Sequence, residues 1–252
     1  MNLFSLHDQV AIVTGGGNGL GKSEAIALAE AGAKTVVVDL NLRDARQTAE
    51  ELKANGFDAI AIQADVTKQS DVDRIMRETI VRFKKIDILV NNAGINIRKP
   101  VLDFTISDWK TILHTNLISC YLCSKVACEY MIPEKSGKIL NIASHTISVT
   151  IPGRAAYSSS KAGLVQLTKH LAVELAQYGI RVNAICPGPM ATDMNLKMKE
   201  NVAGVDKFIE EIPLKRIGRP VEIKGTVVYL ASDASSYVTG TTIFVDGGWA
   251  AK

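Results

Sequence analysis

A run of glycines sits between a short β-branched segment and a long segment of helical period. The order is Val10-Ala11-Ile12-Val13-Thr14, then Gly15-Gly16-Gly17-Asn18-Gly19-Leu20-Gly21, then apolar residues at helical spacing from Lys22 to Ala31. A strand that turns at once into a helix through glycines brings the backbone close to whatever lies at the helix N-terminus, where unpaired N–H groups and the helix dipole favour an anion. This arrangement commits the start of the chain to a strand–turn–helix unit whose next strand lies parallel to the first.

The same alternation continues to the C-terminus. Candidate strands are Val10–Thr14, Thr35–Leu40, Ala59–Ala64, Ile86–Val90, Lys138–Ala143, Arg181–Ile185 and Thr241–Val245. Helical period covers Lys22–Ala31, Asp44–Asn55, Ser70–Phe83, Trp109–Met131, Ala155–Tyr178 and Pro220–Ala231. Short apolar runs alternating with longer amphipathic ones predict an α/β fold, with a seven-stranded parallel sheet flanked by helices on both faces. Ser70 is an expected helix cap, and Gly32, Gly56 and Gly179 suit left-handed helix exits. With 252 residues and 47% hydrophobic content, the chain suits one large core, and no repeat or Pro/Ser-rich linker divides it. Residues 1–252 are therefore expected to form one catalytic domain. The stretch 188–220 departs from the rhythm and carries Met190, Met194, Met198 and Pro213. It reads either as a lid over a cleft or as a surface excursion.

Other function classes fit poorly. The net charge of +3 comes from scattered Lys and Arg, with no cluster long enough to track a phosphate backbone, so no nucleic-acid partner is expected. No apolar run has membrane-spanning length, and the first ten residues lack a leader pattern, so a cytoplasmic protein without a membrane partner is expected. Cys120-x-x-Cys123 has redox or metal spacing but no second ligand pair, and reads instead as buried thiols on a helix.

In the glycine run, Gly15, Gly19 and Gly21 have the spacing that cradles a pyrophosphate. Asp39, at the end of the second strand, is placed to accept hydrogen bonds from ribose hydroxyls and to repel a 2′-phosphate. With Asn18 uncharged, this favours NAD over NADP; Arg43 is the nearby cation that points the other way.

Four separated motifs then fall in order: Thr14-Gly15-x-x-x-Gly19-x-Gly21, Asn91-Asn92-Ala93-Gly94, Tyr157-x-x-x-Lys161 and Pro187-Gly188. Throughout its length the chain resembles the short-chain dehydrogenase/reductase family, which implies a single-domain Rossmann fold. The residues have their own logic. Tyr157 and Lys161 are one helical turn apart and project from one face. A free tyrosine titrates near pH ~10, so a neighbouring cation is needed to make it a useful base at neutrality. Spacing alone is weak, because Tyr121-x-x-x-Lys125 has it too. The resemblance separates them: the family places a serine at a set distance before its tyrosine, where Ser144 precedes Tyr157 but Asp108 precedes Tyr121.

The resemblance implies Asn116, Ser144, Tyr157 and Lys161 as catalytic residues, with Asn116 kinking a helix and holding a water in a proton relay. It implies a cofactor site made of Gly15, Asn18, Gly19, Leu20, Gly21, Asp39, Asp65, Val66, Asn92, Ala93, Gly94, Tyr157, Lys161, Pro187, Gly188 and Thr192. Asp65 and Val66 would meet the adenine, and Thr192 the carboxamide. The implied activity is that of an NAD-dependent alcohol dehydrogenase, moving a hydride between nicotinamide and a secondary alcohol or ketone. No metal is required, and the four histidines show no ligand spacing.

For the substrate, Arg98 and Arg154 stand near the expected cleft mouth, either as a clamp for an anionic group or as solvated loop residues. His145 follows Ser144 and faces either substrate or solvent. The segments Asn91-Asn92-Ala93-Gly94-Ile95-Asn96-Ile97-Arg98 and Asp246-Gly247-Gly248-Trp249 are most similar to the sugar-acid branch, which includes gluconate 5-dehydrogenase and 2-deoxygluconate 3-dehydrogenase. A sugar acid or similar anionic polyol is thus the expected substrate, touched by Arg98, Ser144, His145, Arg154 and Tyr157. The alternatives are a 3-oxoacyl-thioester reductase, against which Asp39 speaks, and a catalytically silent NAD-binding sensor or scaffold. The family further implies a homotetramer, with Trp109–Met131 and Ala155–Tyr178 packing across an interface; Leu164, Leu167 and Leu171 fit either that interface or an internal core face.

Overall fold

Seven strands pair in parallel: β1 (Val10–Thr14), β2 (Lys34–Asp39), β3 (Ala59–Gln63), β4 (Ile88–Asn91), β5 (Gly137–Ile142), β6 (Ile180–Pro187) and β7 (Thr242–Val245). Their order in the sheet is β3-β2-β1-β4-β5-β6-β7. Chain direction across the sheet reverses at β1, with β2 paired on one side and β4 on the other. Two connections leaving in opposite directions open a crevice at the carboxyl ends of these strands. The structure is a computed structural model and describes residues 2–192 and 209–252.

Strand alternation explains the layering. Val10 and Ile12 point into one core, with Val72, Ile75 and Met76 of α3 (Gln69–Phe83) and Val126 and Met131 of α5 (Ser119–Met131). Ala11 and Val13 point into the other, with Ala25 and Leu28 of α1 (Gly19–Glu30), Ala45 and Ala49 of α2 (Leu42–Ala54), and Val227 and Leu230 of α7 (Lys224–Ala231). Helices thus cover both faces, and the central strands are apolar along their whole length because neither face meets water. Among the described residues the remaining α-helices are α4 (Ile106–Leu113) and α6 (Ala155–Leu175).

Several boundaries differ from the sequence expectation. Helix α1 starts at Gly19 rather than Lys22, since its first turn belongs to the glycine loop itself. Ser70 is not a cap: α3 begins at Gln69, with Lys68 at the cap position. The turn before α3 is closed by carboxylates, Asp65 accepting from the N–H and hydroxyl of Thr67, and Asp71 from the N–H of Asp65. The helix expected over Trp109–Met131 begins earlier, where Thr105 and Asp108 form a reciprocal capping box, and is interrupted by a π-helical turn over His114–Ile118. Pro220 starts a 3-10 turn, Pro220–Ile223, which leads into α7. Gly32, Gly56 and Gly179 do take left-handed conformations. Leu164, which suited either an interface or an internal core face, is fully buried inside the chain. Of the expected lid, 193–208 with Met194 and Met198 lies outside the described residues. Its two limbs are joined at the neck, where Gly218 N–H donates to Pro189 O and Ala191 N–H to Gly218 O.

Candidate active site

At the carboxyl ends of β1 and β4 lies a cleft of about 790 Å³. One end is the glycine loop. Gly15 takes a left-handed φ of 64°, and a Cβ at Gly21 would stand 2.1 Å from Gly15 O, so the close approach of α1 to β1 requires hydrogen there. Asn92 holds the loop: its Nδ2 donates to Thr14 O and Gly15 O, each at 3.0 Å. Thr14 completes the brace by accepting from the N–H groups of Asn92 and Ala93 at its hydroxyl.

Asp39 reaches back to this loop. One carboxylate oxygen accepts from Gly17 N–H at 3.0 Å and the other from Asn41 N–H at 3.0 Å, which fixes the group at the cleft wall. Asp65 and Val66, from the end of β3, line the same region. Hydrogen bonds from Thr67 hold the Asp65 carboxyl below the usual carboxylate range. Helix α1 has no acidic residue in its first turn, and the Asn18 side chain forms no cap, so its positive end is left for a ligand. These features fit a dinucleotide: N–H groups for a pyrophosphate, a fixed carboxylate for ribose hydroxyls, and a wall of the size required.

The other end holds the candidate catalytic groups. Ser144 ends the segment after β5, is buried, and accepts from the N–H and hydroxyl of Thr146 at 3.2 and 3.0 Å, leaving its own proton to donate. Tyr157 and Lys161 rise from the first turns of α6, with the Lys161 ammonium 5.9 Å from the Tyr157 ring centre. Lys161 is buried and donates to Ile142 O at 2.6 Å, which anchors it over the end of β5. Asn116 sits in the π turn and is fully buried. Its amide exchanges hydrogen bonds with the main chain of Ile95 at 2.8 and 2.9 Å and donates to Ser160 Oγ at 3.1 Å. The extra residue of a π turn changes the phase of the helix and aims Asn116 inward. At Gly94 a Cβ would stand 3.2 Å from Asn116 Oδ1 and 3.5 Å from Lys161 Nζ, which places all three at one point.

Arg98, Arg154 and His145 line this end. Arg98 is exposed at the mouth, whereas Arg154 is 8% exposed. Desolvation lowers the pKa of both guanidinium groups, and for Arg154 the neighbouring charge of Arg98 adds to it. His145 is buried, stacked on Trp249 with ring centres 4.8 Å apart, and its Nδ1 lies 3.0 Å from Pro187 O. The carbonyl accepts, so Nδ1 carries the proton and Nε2 is the bare nitrogen. Burial pushes the pKa of His145 down to about 4, so the ring is neutral near pH 7. Pro187, Gly188 and Thr192 close the far wall.

Every site residue singled out in the sequence therefore lines this cleft or, for Asn116, packs behind it. The decoy pair does not: Tyr121 and Lys125 are both exposed on α5. Cys120 and Cys123 are buried in that helix. Sequence reading missed Thr14 and Ser160, and also Asn91, whose Nδ2 donates to Asn141 Oδ1 and Ser124 Oγ beneath the site. For Thr14 and Asn91, a polar residue at the end of an apolar strand was the available signal.

Comparison with known proteins agrees with this architecture. A family model described as Enoyl-(Acyl carrier protein) reductase matches residues 15–250. A 3-oxoacyl-(acyl-carrier-protein) reductase of Synechocystis sp. is 43% identical over 251 residues, 98% of each chain. Among solved structures, one from Agrobacterium tumefaciens, provisionally described as a gluconate dehydrogenase, superposes with a TM-score of 0.97 at 39% identity and full coverage of both chains. A gluconate 5-dehydrogenase from Burkholderia cenocepacia, in complex with NADP and tartrate, superposes with a TM-score of 0.95 at 35% identity, covering 100% of this chain and 98% of its own.

Proposed function

The chain belongs to the short-chain dehydrogenase/reductase family, and from that premise we propose that it interconverts a secondary alcohol and a ketone with a nicotinamide dinucleotide as the redox partner. One observation carries the reading: Ser144, Tyr157 and Lys161 share a single cleft with the glycine loop and Asp39. When bound, the dinucleotide would supply or accept the hydride. Gly15, Asn18, Gly19, Leu20 and Gly21 would hold its pyrophosphate, Asp39 its adenosine ribose, Asp65 and Val66 its adenine, and Ala93, Gly94, Lys161, Pro187, Gly188 and Thr192 its nicotinamide half.

The chain's own residues then do the following. Ser144 donates its hydroxyl proton to the substrate oxygen and holds it for proton transfer. Tyr157 exchanges a proton with that oxygen, taking it during oxidation and giving it during reduction. Lys161, fixed by Ile142 O, holds its ammonium group 5.9 Å from the Tyr157 ring centre, where a cation steadies negative charge developing on the reacting oxygen. Asn116 keeps the π turn joined to Ile95, and so holds the floor beneath Lys161.

Two substrate classes have specific support. The curated relatives favour a 3-oxoacyl thioester, the reading that the sequence motifs ranked second, through 43% identity over nearly the whole chain. A sugar acid is supported by the gluconate dehydrogenases among the structural neighbours and by the Arg98–Arg154 pair at the cleft. Asp39 supports NAD, while NADP in the Burkholderia neighbour keeps the phosphorylated form in contention.

A steady-state screen decides among these. Acetoacetyl thioesters, gluconate, 2-deoxygluconate and neutral secondary alcohols are assayed with both dinucleotides. Thioester reduction exceeding every sugar acid by ~10-fold or more in kcat/KM establishes the first class. Sugar-acid turnover that collapses in Arg154→Leu establishes the second. Dinucleotide binding with no turnover of any compound would revive the silent sensor and overturn the enzymatic reading.

A further inference from the structure

The span 95–99, of which Ile95, Asn96 and Arg98 line the cleft, is pinned at both ends. At Ile95 the pins are the two hydrogen bonds exchanged with the Asn116 amide, at 2.8 and 2.9 Å. At Lys99 there are two more: its N–H donates to Gly153 O at 3.2 Å, and its ammonium donates to Asp108 Oδ2 at 2.7 Å. Arg98 lies one residue before this second pin, and Arg154 one residue after Gly153. The bond between Lys99 and Gly153 therefore couples the backbone that carries one arginine to the backbone that carries the other.

Asp108 is the fixed end of this strut. It stands in the first turn of α4, where the N–H and hydroxyl of Thr105 also donate to its Oδ2, at 2.9 and 2.8 Å. The Lys99 ammonium, followed by the Thr105 donors, holds the Asp108 carboxyl down at about 2, so it is ionised throughout the neutral range. The capping box closes α4 without Lys99, since Thr105 and Asp108 satisfy one another. A part-exposed ion pair also adds little to stability. What Lys99 adds is position. Two guanidinium groups repel, and the charge of Arg98 bears on Arg154, which is almost out of water. Backbones free to part would relieve that repulsion, and the tie through Lys99 prevents it. On the other flank, Arg154 occupies the cap position of α6 and its carbonyl accepts from Ser158 N–H at 2.8 Å. The arginine pair is thereby fixed relative to the helix that carries Tyr157.

We propose that Lys99 and Asp108 are positioning residues for substrate specificity: their ion pair keeps Arg98 and Arg154 together as a preformed clamp for one carboxylate of the substrate. The planar fork of each guanidinium matches a planar carboxylate. A clamp assembled in advance loses no affinity to gathering two like charges at the moment of binding. The proposal rests on the dehydrogenase reading above and deepens its sugar-acid branch.

The test compares D-gluconate with D-glucitol, which carries a hydroxymethyl group in place of the carboxylate. Each is titrated calorimetrically into protein saturated with the reduced dinucleotide, a pairing in which an alcohol cannot react. The wild type should bind gluconate ~10-fold or more tightly than glucitol. Lys99→Met should lose most of that preference while its glucitol affinity stays within ~2-fold of wild type, and Lys99→Arg, which restores the charge, should restore the preference. Arg154→Leu should lose the preference too, and adding Lys99→Met to it should cost nothing more, because the strut acts only through the pair. A merely structural Lys99 would weaken both ligands alike or add its loss to that of Arg154→Leu. Either result, or a Lys99→Met protein that keeps its preference, overturns the proposal and leaves the dehydrogenase reading intact. A wild type with no preference for gluconate overturns the clamp itself. Dinucleotide binding without turnover of any compound in the steady-state screen would fell the dehydrogenase reading, and the proposal with it.

Discussion

Replacing Tyr157 by Phe removes one oxygen at the point where the proposed reaction moves a proton. The ring keeps its place on α6, and neither the glycine loop nor Asp39 depends on the hydroxyl. Turnover in Tyr157→Phe should therefore fall by ~10²–10⁴-fold, the usual worth of a positioned acid–base group, while dinucleotide affinity measured by fluorescence titration stays within a few-fold. Equal losses in both would mean that Tyr157 holds the site together rather than exchanging the proton. At this scale the sequence was most informative for residues whose chemistry is scarce in their setting. Ser144 and Lys161 could be placed because their partners had motif spacing. Glu24 escaped notice although it is the single charge in the buried stripe Gly21, Glu24, Ala25 and Leu28; helical period alone makes it visible, but its burial does not exist until the sheet is folded against α1.

Helix α1 shows how a local preference is overruled by its neighbours. Alanine at Gly21 would stabilise an isolated helix by about 1 kcal/mol. Here its Cβ would meet Gly15 O at 2.1 Å and Asn92 Nδ2 at 2.4 Å, both parts of the brace that shapes the loop. Gly21→Ala should cost more than the propensity gain and push the loop off the dinucleotide, seen as at least a ~10-fold weaker Kd for whichever dinucleotide the wild type binds. Unchanged binding would mean that the loop does not cradle the pyrophosphate. The π turn over His114–Ile118 is the opposite case, because no residue type in His-Thr-Asn-Leu-Ile demands it. Asn116 bonded on both sides to Ile95 holds it, a contact between segments distant in sequence. The sequence predicted one helix here and located the asparagine only through a family resemblance.

Across the whole molecule, two buried groups pull stability in opposite directions with pH. His145 has its folded pKa lowered from 6.5 to about 4, so its contribution is present above ~6.5 and lost as pH falls toward 4. Glu24 has its folded pKa raised from 4.5 to about 8, so its contribution is present below ~4.5 and lost as pH rises toward 8. Between roughly 4.5 and 6.5 the two slopes offset each other, and from 6.5 to 8 the Glu24 slope remains. Wild-type unfolding free energy from denaturant titration should fall there by about 1.4 kcal/mol per pH unit, and Glu24→Met should flatten that slope. A flat wild-type profile would show that Glu24 is not held neutral. For assembly, we propose the homotetramer expected from the family, formed through exposed apolar residues on and beside the two helical stretches that the resemblance pointed to. Leu164 is internal, whereas Ile106, Ile118 and Val173 are exposed on α4, the π turn and α6. Val173→Asp should lower the mass measured by sedimentation, and a wild-type monomer would sink the proposal.

Fold class, strand order of appearance and the identity of the glycine loop were determined by the sequence itself, because period, turn chemistry and helix ends are local properties that a short window carries. The cleft was decided by tertiary structure alone. Sheet order β3-β2-β1-β4-β5-β6-β7 brings the ends of β1, β4 and β5 side by side, so that residues as far apart in the chain as Gly15, Asn92, Ser144 and Lys161 share one wall. The same packing removes water from His145 and Glu24 and thereby sets which of their protonation states the folded protein keeps. Burial is a property of neighbours, and no window of sequence contains it.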